Sequence, residues 1–289
     1  MSDAGTGAAK PQLHQSQLAM LWRCGIQFEN RYIKGQIKPP GVAAVVGTAV
    51  HAVASRNLQH KLDQKTLLPV EAVQDFAADA LTDAWKVNGV RLDDDERARG
   101  AKQVKAQATD RAVRLSTLHS AALAPKLRPA KAGVSWKFVI NVKDASHDFA
   151  GEVDVREIDT TVRDLKTATV NRGQAEADRS EQLSFYSLAH KVHFGVLPKR
   201  VALDTLVDYQ RGPQAITTDS QRDMQDIRVS MARFRKSVEI IDKGAFTPAS
   251  QSDWWCSRRF CGFAENCPFY RGRETVAVKG LKGGTRNGH

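Results

Sequence analysis

Two short apolar strands with charged residues at their centres constrain this chain more than any other feature of its sequence. Residues 149–158 and 161–167 read as consecutive strands joined by a short turn. Side chains alternate across a strand, so Asp164 and Lys166 lie on one face of the second strand. Charges are rarely placed in the middle of an apolar strand unless a partner compensates them. The two strands therefore predict a sheet with a polar site built on it.

Paired carboxylates predict that this polar site binds a metal ion. In a hairpin, Asp154 of the first strand would lie beside Asp164 of the second. Two carboxylates a few ångströms apart repel each other unless a cation lies between them, and Mg²⁺ or Mn²⁺ suits oxygen ligands of this kind. A lysine beside them, here Lys166, can orient a water molecule or stabilise negative charge that develops on a phosphate. An exposed hairpin with surface charges is the alternative, because Asp-x-Lys triplets are common.

The order of the predicted elements indicates an α/β (α+β) fold with a mixed central sheet flanked by helices. Further strands are expected over 136–143 and 200–209, and helices from Leu13 onward and over 42–62, 180–194 and 220–243. The predicted organisation is a disordered N-terminus over 1–12, a single domain over 13–272 with a helical subregion at 69–128, and a basic flexible tail over 273–289.

The charge balance predicts a polyanionic partner. Lys and Arg number 43 against 32 Asp and Glu, which gives a net charge of +11 and a sequence pI near 9.6. Nucleic acid is the commonest polyanion in cells, because its phosphates attract Lys and Arg and release counterions on binding. A track for the nucleic-acid backbone would come from Arg258, Arg259, Arg271 and Arg273. A solvated basic surface without a specific ligand is the alternative.

Composition and hydropathy exclude several other classes of protein. Hydrophobic residues make up 42% of the chain, which is close to the globular average and excludes wholesale disorder. The longest apolar stretches, such as Val42–Val46, are far too short to span a bilayer, and the first residues show no signal peptide. We therefore expect a cytoplasmic protein that makes no membrane contact.

The charged strands and two further motifs resemble the PD-(D/E)XK nuclease superfamily and, within it, the RecB-like exonuclease branch. Gly-x-x-Asp ends at Asp154 in one strand, and Asp-x-Lys ends at Lys166 in the next. The branch also has a histidine after a Gly-Thr pair on an early helix, here His51. It has Gln-x-x-x-Tyr on the helix after the lysine strand, here Gln182 to Tyr186. The resemblance extends from about Ser16 to Tyr270.

The resemblance implies a metal-dependent DNA exonuclease that hydrolyses phosphodiester bonds in recombination, repair or other processing of DNA. The metal would lower the pKa of a bound water, and the lysine would position that water against the scissile phosphate. The implied catalytic residues are Asp154, Asp164, Lys166, Gln182 and Tyr186, and the implied ligands of Mg²⁺ or Mn²⁺ are His51, Asp154, Asp164 and the carbonyl group of Leu165. Gln182 and Tyr186 would contact the DNA backbone or support the active site.

One position departs from the family pattern. Ser135 stands where family members often carry a glutamate, at the start of the strand before the Gly-x-x-Asp motif. Glu152 lies on the same strand face as Asp154, so it could partly compensate for the missing carboxylate. This departure leaves the number of bound metal ions open. It does not affect the core set, because the two aspartates and the lysine are all present.

Four cysteines, one near the start of the chain and three close together near its end, predict a second metal site. Cys256, Cys261 and Cys267 follow one another at short spacings, and Cys24 lies far upstream. Four thiolates can hold Zn²⁺ or an iron–sulfur cluster. The layout resembles the iron–sulfur nucleases of the same superfamily, which include AddB-type helicase–nuclease subunits and CRISPR-associated adaptation nucleases. This resemblance implies a [4Fe–4S] cluster that staples the two ends of the nuclease core. Zn²⁺, or four reduced thiols without metal, are the alternatives.

The main alternative function is a non-catalytic DNA-binding or complex-assembly subunit that keeps the nuclease fold. Missing metal ligands would favour it, whereas the main ligands are present here. The predicted substrate is DNA, as a single strand or a duplex end. The sequence lacks the Gly-x-x-x-x-Gly-Lys-Ser/Thr phosphate loop of helicases, so any unwinding of the duplex would come from a helicase or recombination partner.

Overall fold

A mixed sheet forms the centre of residues 9–271, which are the residues that the computed structural model describes. Its six strands in this part of the chain are β1 (Gln12–His14), β2 (Pro129–Ile140), β3 (Asp148–Glu157), β4 (Val162–Ala168), β5 (Val201–Tyr209) and β6 (Gly212–Ser220). The strand order is β1-β3-β4-β5-β6, and β2 also pairs with β3. The β1–β3 and β4–β5 pairs are parallel, and the other pairs are antiparallel. The predicted α/β fold with a mixed central sheet is confirmed.

Helices cover both faces of the sheet. They are α1 (Gln15–Arg23), α2 (Gly25–Phe28), α3 (Val42–Gln64), α4 (Val70–Asn88), α5 (Asp94–Arg99), α6 (Ala101–Leu118), α7 (Gln174–Asp178), α8 (Glu181–Phe194) and α9 (Met224–Lys243). Two π-helical turns, Glu29–Ile33 and His119–Leu123, and a short 3₁₀ turn, Ala264–Asn266, complete the helical structure of the described residues. Over those same residues, we find no helix whose length and apolar character would let it cross a membrane.

Strand alternation divides the core into two layers, one on each face of the sheet. Leu165 of β4 and Leu206 of β5 pack with α3, α4 and α6. Val162 of β4 and Leu203 of β5 pack on the opposite face, with α1, α8 and α9. Asp164 lies two residues after Val162, so it faces the layer that contains α8. The active-site strand β4 is therefore held between two packed helical layers.

The predicted boundary at the N-terminus is wrong. Residues 1–8, and the predicted basic tail over 273–289, lie outside the described residues. Lys10 Nζ donates a hydrogen bond to the Val142 carbonyl at 2.9 Å, and the Asp148 N–H donates to the Pro11 carbonyl at 2.9 Å. Gln12 then begins β1, so the chain joins the sheet before residue 13, and the first helix begins at Gln15.

Two predicted elements also begin at the wrong residue. The helix expected over 220–243 begins at Met224, because the Asp223 carboxylate caps it by accepting the backbone N–H groups of Gln225 and Asp226. The residues before it form β6, an edge strand of half-exposed polar residues without the apolar alternation that marks the other strands. The strand expected over 136–143 is β2, which begins at Pro129 and contains an irregular pairing before Val134.

A close aromatic contact explains the glycine of the Gly-x-x-Asp motif. Gly151 of β3 lies opposite Phe138 of β2, and a Cβ atom at Gly151 would lie 2.6 Å from the Phe138 ring. The same ring packs edge-on against Tyr186 of α8, with the ring centroids 6.1 Å apart. The motif glycine thus leaves room for a ring that contacts the helix above the site.

We expect Gly151→Ala to lower the free energy of unfolding by about 1–3 kcal/mol, because the added methyl group would displace the Phe138 ring from a packed core. Denaturant unfolding of the variant and the wild type measures the change. Gly47→Ala is the matched control. Gly47 lies in helix α3, and a Cβ atom there would meet only Thr167 Oγ1, at 3.4 Å. The control is expected to leave stability unchanged or to raise it by up to about 1 kcal/mol. Equal losses in both variants would contradict the explanation.

Candidate active site

The acidic residues of the central strands lie where β3 and β4 separate. Strand β2 pairs with β3 along one edge. On the other edge of β3, β1 pairs with residues 148–150 and β4 pairs with residues 155–156. Within the described structure, residues 151–154 have no strand partner on that second edge. Instead, Asp154 Oδ2 accepts the Leu165 N–H of β4 at 2.7 Å. A carboxylate thus takes the place of a backbone acceptor, which fixes Asp154 at the fork between the strands.

His51 reaches this fork from α3. Its Nδ1 donates a hydrogen bond to Asp154 Oδ1 at 2.9 Å. Burial lowers the pKa of His51, but the hydrogen bond and the negative charge of Asp154 together outweigh burial, so the pKa lies above its usual value. The imidazole and the carboxylate are therefore held together as a pair, 103 residues apart in sequence.

Asp164 is the buried carboxylate of the site, with 1% of its surface exposed. Lys166 Nζ lies 2.8 Å from Asp164 Oδ2, and the Tyr186 hydroxyl lies 3.3 Å from Oδ1. Burial raises the pKa of Asp164, and repulsion from Asp154 adds to this rise, although the charge of Lys166 opposes it. The contact with Lys166 is an ion pair without hydrogen-bond alignment, so Oδ2 is a buried oxygen that lacks a hydrogen-bond partner.

A chain of hydrogen bonds from α8 fixes the position of Lys166. Lys166 Nζ donates to Gln182 Oε1 at 2.8 Å, and Gln182 Nε2 donates to the Tyr186 hydroxyl at 2.7 Å. The Tyr186 hydroxyl donates in turn to the Glu152 carbonyl, at 2.6 Å, on the open edge of β3. Burial lowers the pKa of Lys166, but the charges of the two aspartates outweigh it and raise the pKa above its usual value. Gln182 and Tyr186 thus hold a charged ammonium group beside Asp164.

The donor set at the fork suits a hard divalent cation. In residues 9–271, no group of three or more His, Cys, Asp or Glu side chains is arranged as a metal site. At the fork, Asp154 is engaged by His51 and by a backbone N–H, and Lys166 neutralises Asp164. A cation would give the buried Asp164 Oδ2 a partner besides Lys166 and would relieve the repulsion between the two carboxylates. His51, Asp154 and Asp164 therefore fit Mg²⁺ or Mn²⁺.

Three other residues considered from the sequence surround the site. Leu165 uses its N–H to hold Asp154 and buries its side chain in the layer of α3. Ser135 Oγ lies 2.9 Å from Ser55 Oγ of α3, so a hydroxyl pair stands where a glutamate is common. The Glu152 side chain is exposed, and only its carbonyl takes part in the contacts described above. The suggestion that Glu152 partly compensates for the missing glutamate stays a prediction.

The four cysteines line one cavity at the end of the described chain. Cys24 lies between α1 and α2, and its Sγ accepts the Ala249 N–H at 3.4 Å. Burial raises the pKa of Cys256, and the other three cysteines raise it further through their charge. None of the four forms a disulfide. The fold thus brings Cys24 to the cavity that the C-terminal trio lines, although no three of these cysteines are arranged as a metal site in the described residues.

A buried ion-pair network lies on the opposite face of the sheet and was not predicted. Arg163 donates to Glu157 and to Asp204, and the Thr217 hydroxyl donates to Asp204. These contacts join β3, β4, β5 and β6 beneath the site. Strand alternation placed Arg163 opposite the catalytic face, but its partner Asp204 is 41 residues away and carries no local signal.

A second missed residue is His119, the first residue of the π-helical turn after α6. Its side chain is buried and, together with His51 and Asp154, lines a small cavity behind the fork. Burial lowers the pKa of His119 to about 4, and the charge of His51 contributes to the decrease. His119 is therefore a neutral imidazole at neutral pH.

This lowered pKa predicts that stability decreases in mild acid. The unfolded chain binds a proton at His119 near pH 6.5, whereas the folded protein binds it only near pH 4. Between these values the unfolded state carries one more proton, so the free energy of unfolding falls with decreasing pH, by about 3 kcal/mol in total. We expect His119→Gln to remove this component of urea-denaturation curves measured across the range. Identical pH dependence in both proteins would contradict the expectation.

A family model described as the PD-(D/E)XK nuclease superfamily matches residues 12–268. The chain is similar in structure to a proposed exonuclease from Eubacterium rectale, with 10% identity, a TM-score of 0.49, and coverage of 90% of this chain and 93% of that chain. SSO0001 shows 14% identity and a TM-score of 0.32, over 89% of this chain and 96% of that chain. Candida albicans Rai1 in complex with pU5-Mn²⁺ shows 10% identity and a TM-score of 0.26, over 88% and 82%. No curated protein gives a significant match.

Proposed function

The chain belongs to the PD-(D/E)XK nuclease superfamily, and from this membership we propose that it is a metal-dependent DNA exonuclease of the RecB-like branch. The observation that carries the proposal is the convergence of His51, Asp154, Asp164 and Lys166 at the fork between β3 and β4. We place its hydrolysis of phosphodiester bonds in recombination, repair or other processing of DNA.

The metal ligands in this proposal are His51, Asp154, Asp164 and the carbonyl group of Leu165. When bound, Mg²⁺ or Mn²⁺ lowers the pKa of a coordinated water and neutralises charge on the scissile phosphate. The burial of Asp164 and the hydrogen bonds to Asp154 orient the two carboxylates before any ligand arrives. Such preorganisation is what a hydrolytic site requires, because the reacting groups then need little rearrangement.

Lys166 supplies the positive charge of the site. Its ammonium group orients the attacking water and stabilises the negative charge that develops on the phosphate. Gln182 and Tyr186 act through Lys166, since their hydrogen bonds fix its Nζ atom relative to Asp164. We therefore assign both as positioning residues rather than as contacts to the DNA backbone.

The segment that carries three of the cysteines supports binding of DNA. Trp254 and Phe260 are exposed, with ring centroids 4.6 Å apart, and Arg259 lies over the Phe260 ring. Arg258 and Arg271 of the same segment are also exposed. Exposed aromatic rings stack on unpaired bases, and guanidinium groups contact the phosphate backbone. This surface suits a single strand or the frayed end of a duplex.

A helicase or recombination partner would supply unwinding. Arg273, also predicted for this track, lies outside the described residues.

A [4Fe–4S] cluster is proposed for the four cysteines. Four thiols that line one cavity form a donor set suited to such a cluster, and their mutual repulsion when ionised favours a bound metal. Joining Cys24 to the C-terminal trio closes a long loop, which constrains the unfolded chain. Reduced thiols persist in reducing compartments, so the cytoplasm is the proposed location.

Metal analysis of protein purified without oxygen tests the cluster. We expect about four iron atoms and about four acid-labile sulfides per chain, and loss of both in Cys24→Ser. One zinc per chain would favour the zinc alternative, and the absence of all three elements would favour free thiols.

Cleavage of end-labelled DNA tests the nuclease. Wild-type protein would be incubated with single-stranded and duplex DNA, labelled at either end, with Mg²⁺, Mn²⁺ or a chelator. We expect cleavage with either metal and none with the chelator, and the product ladder gives the polarity. A folded wild type that binds DNA without cleaving it would favour the non-catalytic DNA-binding or complex-assembly subunit.

A further inference from the structure

A small cavity lies behind the active site, between α3 and the sheet. It offers about 10 Å³ of space to the centre of a water molecule. His51, His119, Asp154, Arg163 and Asp204 are among its lining residues. A space of this size holds about one water molecule when several polar groups surround it. The size and the lining of the cavity therefore match a site for one ordered water.

His119 is the lining residue whose polar atoms lack a partner. His51 bonds to Asp154, and Arg163 bonds to Asp204. In contrast, the His119 side chain is 3% exposed, and no hydrogen bond joins its imidazole to another residue of the described chain. Polar side chains buried this deeply are nearly always hydrogen-bonded, to protein or to an ordered water. The cavity is the place where such a water can meet His119.

The backbone around His119 ties it to the active-site helix. His119 begins the π-helical turn His119–Leu123, and π turns recur at functional sites. The next residue, Ser120, accepts a hydrogen bond from Asn57 Nδ2 of α3 at 3.0 Å. Helix α3 also carries His51. The turn that holds His119 is thus fixed directly to the helix that holds the proposed metal ligand.

We propose that this cavity binds one water molecule and that His119 acts through it as a positioning residue for the His51–Asp154 pair, an inference that rests on the proposed function. A neutral imidazole donates one hydrogen bond and accepts another, so it can bind a water that also contacts the pair. Outer-shell partners of this kind orient metal ligands, and their loss typically costs about 10–100-fold in metal affinity.

Titration of Mn²⁺ into the full-length protein without DNA tests this role. His119→Leu removes both ring nitrogens and keeps an apolar side chain of similar reach, whereas His119→Gln keeps a donor and an acceptor. His190→Leu is the matched control, because it makes the same change at another buried histidine, whose Nδ1 bonds to the Val196 carbonyl and which does not line the cavity. We expect the Kd for Mn²⁺ to rise about 10–100-fold in His119→Leu and to stay near the wild-type value in the other two variants.

A second variant and a spectroscopic readout separate positioning from loss of folding. Ala54→Val retains His119 and fills part of the cavity that Ala54 lines, so it is expected to weaken Mn²⁺ binding in the same direction. Nitrogen chemical shifts of the His51 imidazole, measured before metal is added, are expected to change in His119→Leu and not in His190→Leu.

Unchanged Mn²⁺ affinity in folded His119→Leu, or equal weakening in His190→Leu, would overturn the proposal. A wild type that does not bind Mn²⁺ would overturn it as well. Because the titration contains no DNA, an inactive wild type with weakened binding in His119→Leu would support the positioning role while refuting the nuclease.

Discussion

Lys166→Met is expected to lower the rate of DNA cleavage by about 10²–10³-fold while DNA affinity stays close to that of the wild type. Methionine keeps the aliphatic stem but lacks the ammonium group that lies 2.8 Å from Asp164 Oδ2 and donates to Gln182. That charge is useful mainly when negative charge develops on the phosphate, so its loss affects the chemical step more than binding. Single-turnover cleavage of an end-labelled strand and fluorescence anisotropy measure the two quantities separately.

Lys243→Met is the matched control for this prediction. Lys243 is an exposed lysine at the last position of α9, outside the proposed site. The Lys243→Met substitution removes the same charge from the protein, so it corrects for a general loss of attraction to DNA. Cleavage by Lys166→Met within twofold of the control would show that the lysine has no role in the chemical step.

Arg163→Met is expected to lower the free energy of unfolding by about 3–5 kcal/mol. The guanidinium group lies between the carboxylates of Glu157 and Asp204, which are 6% and 3% exposed. Burial raises the pKa of Asp204, and the charge of Arg163 opposes that rise. Removing the arginine would leave two buried carboxylates without compensation, a costly arrangement in a protein interior.

An exposed arginine provides the comparison for Arg163. Arg200, whose side chain is 40% exposed, pairs with Asp219 and Asp159 at the surface. Surface pairs contribute little, so Arg200→Met is expected to cost no more than about 1 kcal/mol. Urea denaturation of both variants measures the difference. Similar small losses would mean that the buried network does not contribute to the stability of the sheet.

The sequence predicted the parts of the site that follow from strand and helix periodicity. Alternation placed Asp164 and Lys166 on one face of β4, and the structure places both beside α8. The four-residue spacing of Gln182 and Tyr186 put them on one helix face, where they form consecutive hydrogen bonds. Such local rules need no knowledge of distant contacts.

Features that depend on distant contacts could not be predicted in this way. His119 has no local pattern, because its importance comes from a π-helical turn and from a cavity formed with α3 and the sheet. Strand β6 was missed because an edge strand is half-exposed and lacks apolar alternation. The open edge of β3, where the Glu152 carbonyl accepts a hydrogen bond from the Tyr186 hydroxyl, exists because β1 and β4 pair with different parts of the same side of β3. Periodicity within one segment does not encode such pairings.

Metal-dependent cleavage by wild type and Asp164→Asn, measured side by side on end-labelled DNA with Mn²⁺, tests the paired carboxylates most directly. Asparagine keeps the size of the side chain and removes the negative charge of the buried oxygen that lacks a hydrogen-bond partner. We predict that the wild type cleaves DNA, that a chelator stops it, and that the folded variant does not cleave. Equal cleavage by the two proteins would contradict the assignment of the fork between β3 and β4 as the hydrolytic site.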